Sequence, residues 1–224
     1  MLTQRVLDNK DEISRGLRQP YLAIENALQP RFAEQLRDEL LESRLWRDQD
    51  DGMMHERGGQ QVANDFTYSR QGIVLGDPQA PAALDKLHRY LNSAATLEWF
   101  SEISDRKCQL FEGVATWFRP GDQISKHNDS FTRKLDDGRT QSRAVTFNYW
   151  LTKGWMPDFG GRLIWEKPYA EILPSFNTLV LFLPTKISEH WVEPVAEFLT
   201  VPRLAISGWF MTTSTNQANR LKLG

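Results

Sequence analysis

From Gln109 to Thr212 the chain breaks into short segments of strand character separated by turn residues, and this succession constrains the fold more than any other feature. Gln109–Arg119 is rich in β-forming residues and stops at Pro120-Gly121, a turn signal. Arg143–Thr152 alternates, with Val145, Phe147, Tyr149 and Leu151 on one face and Ala144, Thr146, Asn148 and Trp150 on the other. Gly160-Gly161 precedes a strand over Arg162–Glu166. Asn177–Leu183 is a continuous apolar run, as in a strand covered on both faces. Arg203–Thr212 closes the series, with Arg203, Ala205, Ser207 and Trp209 sharing a face. Strands this short bury their apolar faces by packing two sheets together, as in a jelly roll or cupin-like barrel.

The first half has a different texture. Residues 1–18 are expected to form a polar arm or short helix, and Pro20–Leu28 a short strand leading into a turn. Pro30 suits the first turn of a helix, and Phe32, Leu36, Leu40 and Leu41 recur at helical spacing to about Glu42. Trp46–Phe66, rich in Gly, Asp and Gln, reads as a long loop or irregular hairpin. A second helix starts near Pro81, with Leu84, Leu87, His88 and Leu91 on one face, and a third covers roughly Thr96–Ser104. The expected fold is therefore α+β. Residues 1–108 form a helical and strand support carrying the 46–66 loop. Residues 109–224 form a double-stranded β-helix of the jelly-roll or cupin-like type, with the N-terminal helices packed on one sheet, in one domain overall.

Composition narrows the functional classes. A formal net charge of −2 offers no electrostatic footprint for nucleic acid. The longest strongly apolar run, Thr178 to Pro184, is too short to span a membrane. The polar N-terminus lacks an apolar signal core, and a single cysteine, Cys108, rules out an intrachain disulfide. A cytoplasmic protein, monomeric or homodimeric, is expected.

With one cysteine, a metal site must draw on His, Asp or Glu, and there are only four histidines, at 55, 88, 127 and 190. His127 and Asp129 in "KHND" lie two residues apart, so an extended strand end would carry both side chains on one side. His190 in "SEHWVEP" must arrive from a neighbouring strand. Two imidazoles and one carboxylate form the donor set of a non-haem Fe(II) centre with open positions. An isolated H-x-D recurs by chance, so the weight falls on the joint pattern. Arg203 adds a planar fork that matches a carboxylate.

These residues sit in segments that resemble a known family. "FRPGDQISKHND" resembles the opening of the 2-oxoglutarate/Fe(II) oxygenases of the prolyl hydroxylase superfamily. "SRAVTFNYWLTKGWMPDFGGRLIWE" resembles the strand that runs into their Gly-Gly turn. "ILPSFNTLVLFLPTKISEHWVEPV" and "RLAISGWF" resemble their closing strands, and the likeness runs from about Val114 to Met211 in order. The resemblance implies that His127, Asp129 and His190 bind Fe(II) and that Arg203 pairs with the distal carboxylate of 2-oxoglutarate. Thr146 and Ser207 would add hydrogen bonds to that carboxylate, and Leu163, Val192 and Trp209 apolar walls. Phe118 and Trp150 stand where family members often carry tyrosine, and Asn148 where some carry an apolar residue, so these three would line the cosubstrate pocket in this chain's own way. O2 would be the second cosubstrate and ascorbate a stimulant. Retention of Asp129 points to hydroxylation rather than halogenation, in which a small residue replaces the carboxylate. The expected substrate is a prolyl or other residue in a protein or peptide; the alternative is a free amino acid or a small natural-product intermediate. A non-catalytic cupin-like binding protein would not need the intact triad.

Overall fold

A computed structural model describes residues 1–51, 54–57, 60–63 and 67–214. The N-terminal arm is two short helices, α1 (Gln4–Asp8) and α2 (Lys10–Gly16). Helices this short are marginal alone; these are held because Leu2, Val6, Ile13 and Leu17 are buried. After β1 (Leu22–Glu25), helix α3 (Pro30–Glu42) begins at the expected proline and buries Phe32, Ala33, Leu36 and Leu40. Helix α4 (Ala82–Leu91) turns Ala83, Leu84, Leu87 and Leu91 inward. Helix α5 (Ala94–Ser104) is capped by Ser93, whose hydroxyl accepts the Thr96 N–H, and stops at Asp105 in the left-handed region.

The strands are β2 (Arg47–Asp51), β3 (Met54–Arg57), β4 (Gln60–Ala63), β5 (Tyr68–Val74), β6 (Leu110–Phe118), β7 (Ile124–His127), β8 (Thr132–Lys134), β9 (Thr140–Trp150), β10 (Leu163–Trp165), β11 (Ala170–Ile172), β12 (Thr178–Phe182), β13 (His190–Val192) and β14 (Arg203–Ser214). They form one curled antiparallel sheet in the order β1-β12-β9-β14-β6-β5-β7-β13-β10-β11, with β2 added to β5 and β8 to β9. Strands β3 and β4 pair only with each other. The stretch expected as a loop or irregular hairpin, Trp46–Phe66, thus contributes a strand to the main sheet and a separate hairpin. Residues 52–53, 58–59 and 64–66 lie outside the described residues. Strand β5 is an addition to the expected series. Its "YSRQG" stretch carries no apolar alternation, and β2 and β6 hold it in register.

The alternation expected for β9 and β14 is realised except at Ala144, which packs in the same core as Val145 where the pairing with β14 shifts register. Val145, Phe147, Tyr149 and Leu151, with Leu204, Ile206 and Phe210, face the helices in a core with Leu36, Leu87 and Phe100. Phe100 stacks on Phe210 with ring centroids 3.9 Å apart. Trp150 and Ala205 point the other way, into the concavity, with Phe118, Leu163 and Val192. The helices therefore cover the convex side of one leaf and leave the hollow free. No helix among the described residues is long and apolar enough to cross a membrane.

Asn177 pins the two halves together. It is 1% exposed and sits at φ 56°, a conformation asparagine tolerates better than most residues. Its Oδ1 accepts from the Tyr149 hydroxyl at 2.8 Å and the Leu28 N–H at 2.9 Å, and its Nδ2 donates to the Leu28 carbonyl at 2.9 Å. Asn177→Ala leaves three buried groups unpaired and is expected to cost about 3 kcal/mol by equilibrium urea unfolding; a loss below about 1 kcal/mol would show that the pin is dispensable. Cys108 is buried, and burial pushes its thiol up to about 11. The thiolate is the reactive form, so a thiol reagent at pH 8 is expected to label Cys108 only on unfolding. Fast stoichiometric labelling of the native protein would contradict this burial.

Candidate active site

Strand β13 lies antiparallel to β7, and the register sets His190 directly opposite His127. Their ring centroids are 4.3 Å apart. Each Nδ1 lies against a carbonyl two residues back, His127 on Ser125 at 2.9 Å and His190 on Ser188 at 2.8 Å. With Nδ1 donating its proton to that carbonyl, each Nε2 keeps a lone pair aimed into the hollow, as a metal requires. Trp165 stacks on His190 at 5.4 Å and Phe182 meets it edge-on at 4.9 Å, which fixes the ring.

Asp129 reaches this pair by a route the sequence reading did not foresee. The expectation of one extended strand end carrying both side chains is corrected: β7 ends at His127, and Asp129 adopts φ 55° in the turn that follows. The left-handed residue swings the carboxylate back beside the imidazoles. Oδ1 lies 3.5 Å from His127 Nε2 and Oδ2 3.8 Å from His190 Nε2. All three donors fall within 4.8 Å of one another, a spacing that can hold a metal ion. Two side chains orient the carboxyl from behind. Arg143 donates to Oδ1 at 3.3 Å and to the Asp129 carbonyl at 3.2 Å. Thr146 donates to Oδ2 at 3.3 Å. The Trp209 indole N–H lies by the same carboxyl and has no other partner, while the Trp209 ring takes the Arg143 guanidinium on its face at 3.5 Å.

The electrostatics favour a cation. Burial and the neighbouring His190 push His127 down to about 4, so it is neutral near pH 7. Burial alone would raise the pKa of Asp129, but His127, His190 and Arg143 outweigh it and hold the carboxyl below its ordinary range. A neutral His127 beside an ionised Asp129 can bind a divalent ion without either first releasing a proton.

The hollow, together with the open space at its mouth, measures about 500 Å³. Arg203 enters it from the first residue of β14, opposite Phe118 of β6. The guanidinium is 2% exposed, lies 4.8 Å over the Phe118 ring and donates through Nε to the Gly161 carbonyl at 2.6 Å. No carboxylate pairs with it among the described residues, and burial lowers its pKa to about 9. A buried cation without a counterion costs several kcal/mol, so Arg203 calls for an anionic ligand. Gly161 makes room for it: at φ +61°, a Cβ there would sit 2.9 Å from Arg203 Cδ.

Most of the expected residues line this hollow. Asn148 and Trp150 reach it from β9, and Ser207 and Trp209 from β14. Leu163 and Val192 close the side formed by β10 and β13. Thr146 does not line it: at 1% exposure it is spent on Asp129, which corrects the expected contact with the cosubstrate carboxylate. Three contributors were not foreseen. Arg143 and Trp165 act through neighbours, and their roles depend on cross-strand register. Arg70 of β5 lines the hollow from a strand that was itself missed.

Residues 113–211 match the profile of the 2OG-Fe(II) oxygenase superfamily. They are similar to a 2OG-Fe(II) oxygenase core. A mouse protein, prolyl 3-hydroxylase OGFOD1, is 30% identical over 127 residues, covering 48% of this chain and 23% of that relative. The chain thus spans under a quarter of the curated relative's length. The fold resembles that of a prolyl hydroxylase from Trichoplax adhaerens solved with a hypoxia inducible factor peptide, with TM-score 0.68, 18% identity and coverage of 99% and 97% of the two chains. A Pseudomonas putida prolyl-4-hydroxylase gives TM-score 0.61 at 21% identity, covering 90% and 97%. The donor set of His127, Asp129 and His190 suits a divalent metal such as Fe(II).

Proposed function

We propose that this chain is an Fe(II)- and 2-oxoglutarate-dependent dioxygenase that hydroxylates a prolyl residue in a protein or peptide. The observation that carries the reading is a donor triad, with Asp129 and His190 buried, that shares one hollow with a buried guanidinium lacking a counterion among the described residues. His127, Asp129 and His190 would hold the iron, and Arg203 the distal carboxylate of 2-oxoglutarate. When bound, the iron, 2-oxoglutarate and O2 supply the oxidising power that converts a C–H bond to C–OH, with succinate and CO2 as coproducts.

The chain's own residues do the rest. The serine carbonyls and the Trp165 stack hold the imidazoles, and Arg143 and Thr146 hold the carboxylate, so the donors need little rearrangement when a metal arrives. Phe118, Leu163, Val192 and Trp150 would keep the hollow apolar around the reacting carbon, and Ser207 would offer a hydroxyl to the same hollow. On this reading residues 1–108 support the catalytic part from residue 109 onward. The prolyl substrate is supported by what the named relatives act on, and a cytoplasmic setting by the single, buried cysteine.

Anaerobic titration with Fe(II) and then 2-oxoglutarate tests the reading. A weak visible charge-transfer band that depends on Arg203 is expected. Its absence from the wild-type protein would overturn the assignment. Succinate release stimulated by prolyl peptides but not by free proline is the expected substrate pattern; the reverse would move the assignment to a small-molecule hydroxylase.

A further inference from the structure

The hollow holds a second guanidinium that the proposed iron and 2-oxoglutarate sites leave without work. Arg70 lines the hollow, and it also lines an adjoining surface cleft of about 910 Å³ with Gln49, Tyr68, Val74, Glu112 and Trp209. Arg70 and Trp209 are common to both spaces, so they stand at the throat between the metal triad and the outside. Arg203 belongs to the inner hollow alone.

The guanidinium of Arg70 is held from behind and left open in front. Its Nε donates to Gln49 Oε1 at 3.1 Å, and its carbon lies 4.7 Å from the centre of the Tyr68 ring. No described carboxylate forms an ion pair with it, and its terminal nitrogens have no hydrogen-bond partner among the described residues. Burial lowers the pKa of Arg70, with Tyr68 and Asp129 pulling it partly back up, whereas burial alone shifts Arg203. Asp129 cannot neutralise Arg70, because it faces both imidazoles and is bonded to Arg143 and Thr146. Glu112, the acid lining the outer cleft, is bonded to Arg133 at 2.8 Å.

Charge counting gives the same answer. Bound Fe(II) and 2-oxoglutarate would cancel each other, and Asp129, already bonded to Arg143, leaves Arg70 and Arg203 without an anion among the described residues. A net positive charge remains in a low-dielectric hollow, with its exposed share at the throat.

We propose that Arg70 is a specificity-determining residue that binds a carboxylate of the substrate, placed beside the carbon to be hydroxylated. The inference rests on the proposed hydroxylase reading and deepens it. The carboxylate has two sources: an acidic side chain next to the target proline, or the α-carboxylate of a free imino acid. The guanidinium offers two parallel N–H donors to either.

The test uses the wild-type protein and its Arg70→Gln and Arg70→Lys variants, each loaded anaerobically with Fe(II) and 2-oxoglutarate. The charge-transfer band reports loading first, so a missing band indicts the parent reading and not Arg70. Three probes are then titrated by calorimetry: a short peptide containing Pro-Asp, its Pro-Asn counterpart, and free proline. Wild type is expected to bind the Pro-Asp peptide or free proline about ten- to a hundredfold more tightly than the Pro-Asn peptide, the range of a charge-assisted pair. Arg70→Gln should erase that preference with the band unchanged, and Arg70→Lys should keep part of it. Preference for the peptide assigns the side-chain source, and preference for proline the α-carboxylate. Equal binding of acidic and amide peptides with no binding of proline, a preference that survives in Arg70→Gln, or no binding of any probe to the loaded wild type would each overturn the proposal.

Discussion

Arg203→Met is expected to raise the melting temperature of the metal-free, cosubstrate-free protein while abolishing its response to 2-oxoglutarate. The guanidinium is buried without a counterion, and burial has already brought its pKa down to about 9. Removing such a charge relieves a desolvation penalty of several kcal/mol. Against this stands the lost bond to the Gly161 carbonyl, worth about 1 kcal/mol. Methionine fills much of the same volume, so the cavity cost is small. The net is a gain of about 1–2 kcal/mol, or roughly 2–6 °C for a chain of this size. Saturating 2-oxoglutarate should stabilise the iron-loaded wild type further, by mass action, and should leave Arg203→Met unmoved. Differential scanning calorimetry with and without Fe(II) and 2-oxoglutarate reads both effects. A variant that melts several degrees lower would mean that Arg203 has a partner in solution, and the argument for an anionic ligand would fail.

The second large effect is expected at Asp129. Asparagine keeps the side-chain shape and tolerates the left-handed backbone at φ 55°. Asp129→Asn therefore isolates the charge. Loss of the anionic donor should weaken Fe(II) binding by at least the 10–100-fold typical of changes one shell further out, and should take hydroxylation to background. The fold should be unchanged by circular dichroism. Asp129→Ala is expected to lose the metal equally and to cost a further 1 kcal/mol or so, because alanine pays for the left-handed conformation. Anaerobic metal titration and urea unfolding separate the two contributions. Near-wild-type iron affinity in Asp129→Asn would remove the carboxylate from the donor set.

The parts that were legible in the sequence share a cause. Strands β9 and β14 bury both faces, so their period-two pattern assigns Phe147 and Ile206 to the helix side and Trp150 and Arg203 to the hollow. Helix α3 announces itself by Pro30 and by leucines at helical spacing. His127, Asp129 and His190 stood out because four histidines and one cysteine leave few ways to build a metal site. What escaped depends on pairing rather than on local pattern. Strand β13 was expected as the neighbouring strand that brings His190, but its three-residue extent was not, because β7 and β10 on either side set it. Strand β5 contains Ser, Arg, Gln and Gly where a strand reader looks for apolar alternation, and Arg70 was lost with it. Thr146 was assigned to the correct face but to the wrong partner, since period two gives the side of a sheet and not the identity of the atom reached. The turn that carries Asp129 reads as strand in "ISKHND" because nothing in those letters declares a positive φ.

The curled sheet has a seam. Strands β5 and β7 are the neighbours that join its two leaves, and among the described residues their ladder is Tyr68 opposite Ile124, flanked by bonds from Ser69 to Gln123 and from Ser125 to Thr67. The imidazoles of His127 and His190 stand on one side of that seam and Arg203 on the other. A dicarboxylate anchored at one end on the metal and at the other on Arg203 is therefore a rivet across the joint. Its arrival should slow amide exchange in the strands on both sides of the seam, β5 as well as β7, so loading of the hollow would double as a lock on the architecture that surrounds it.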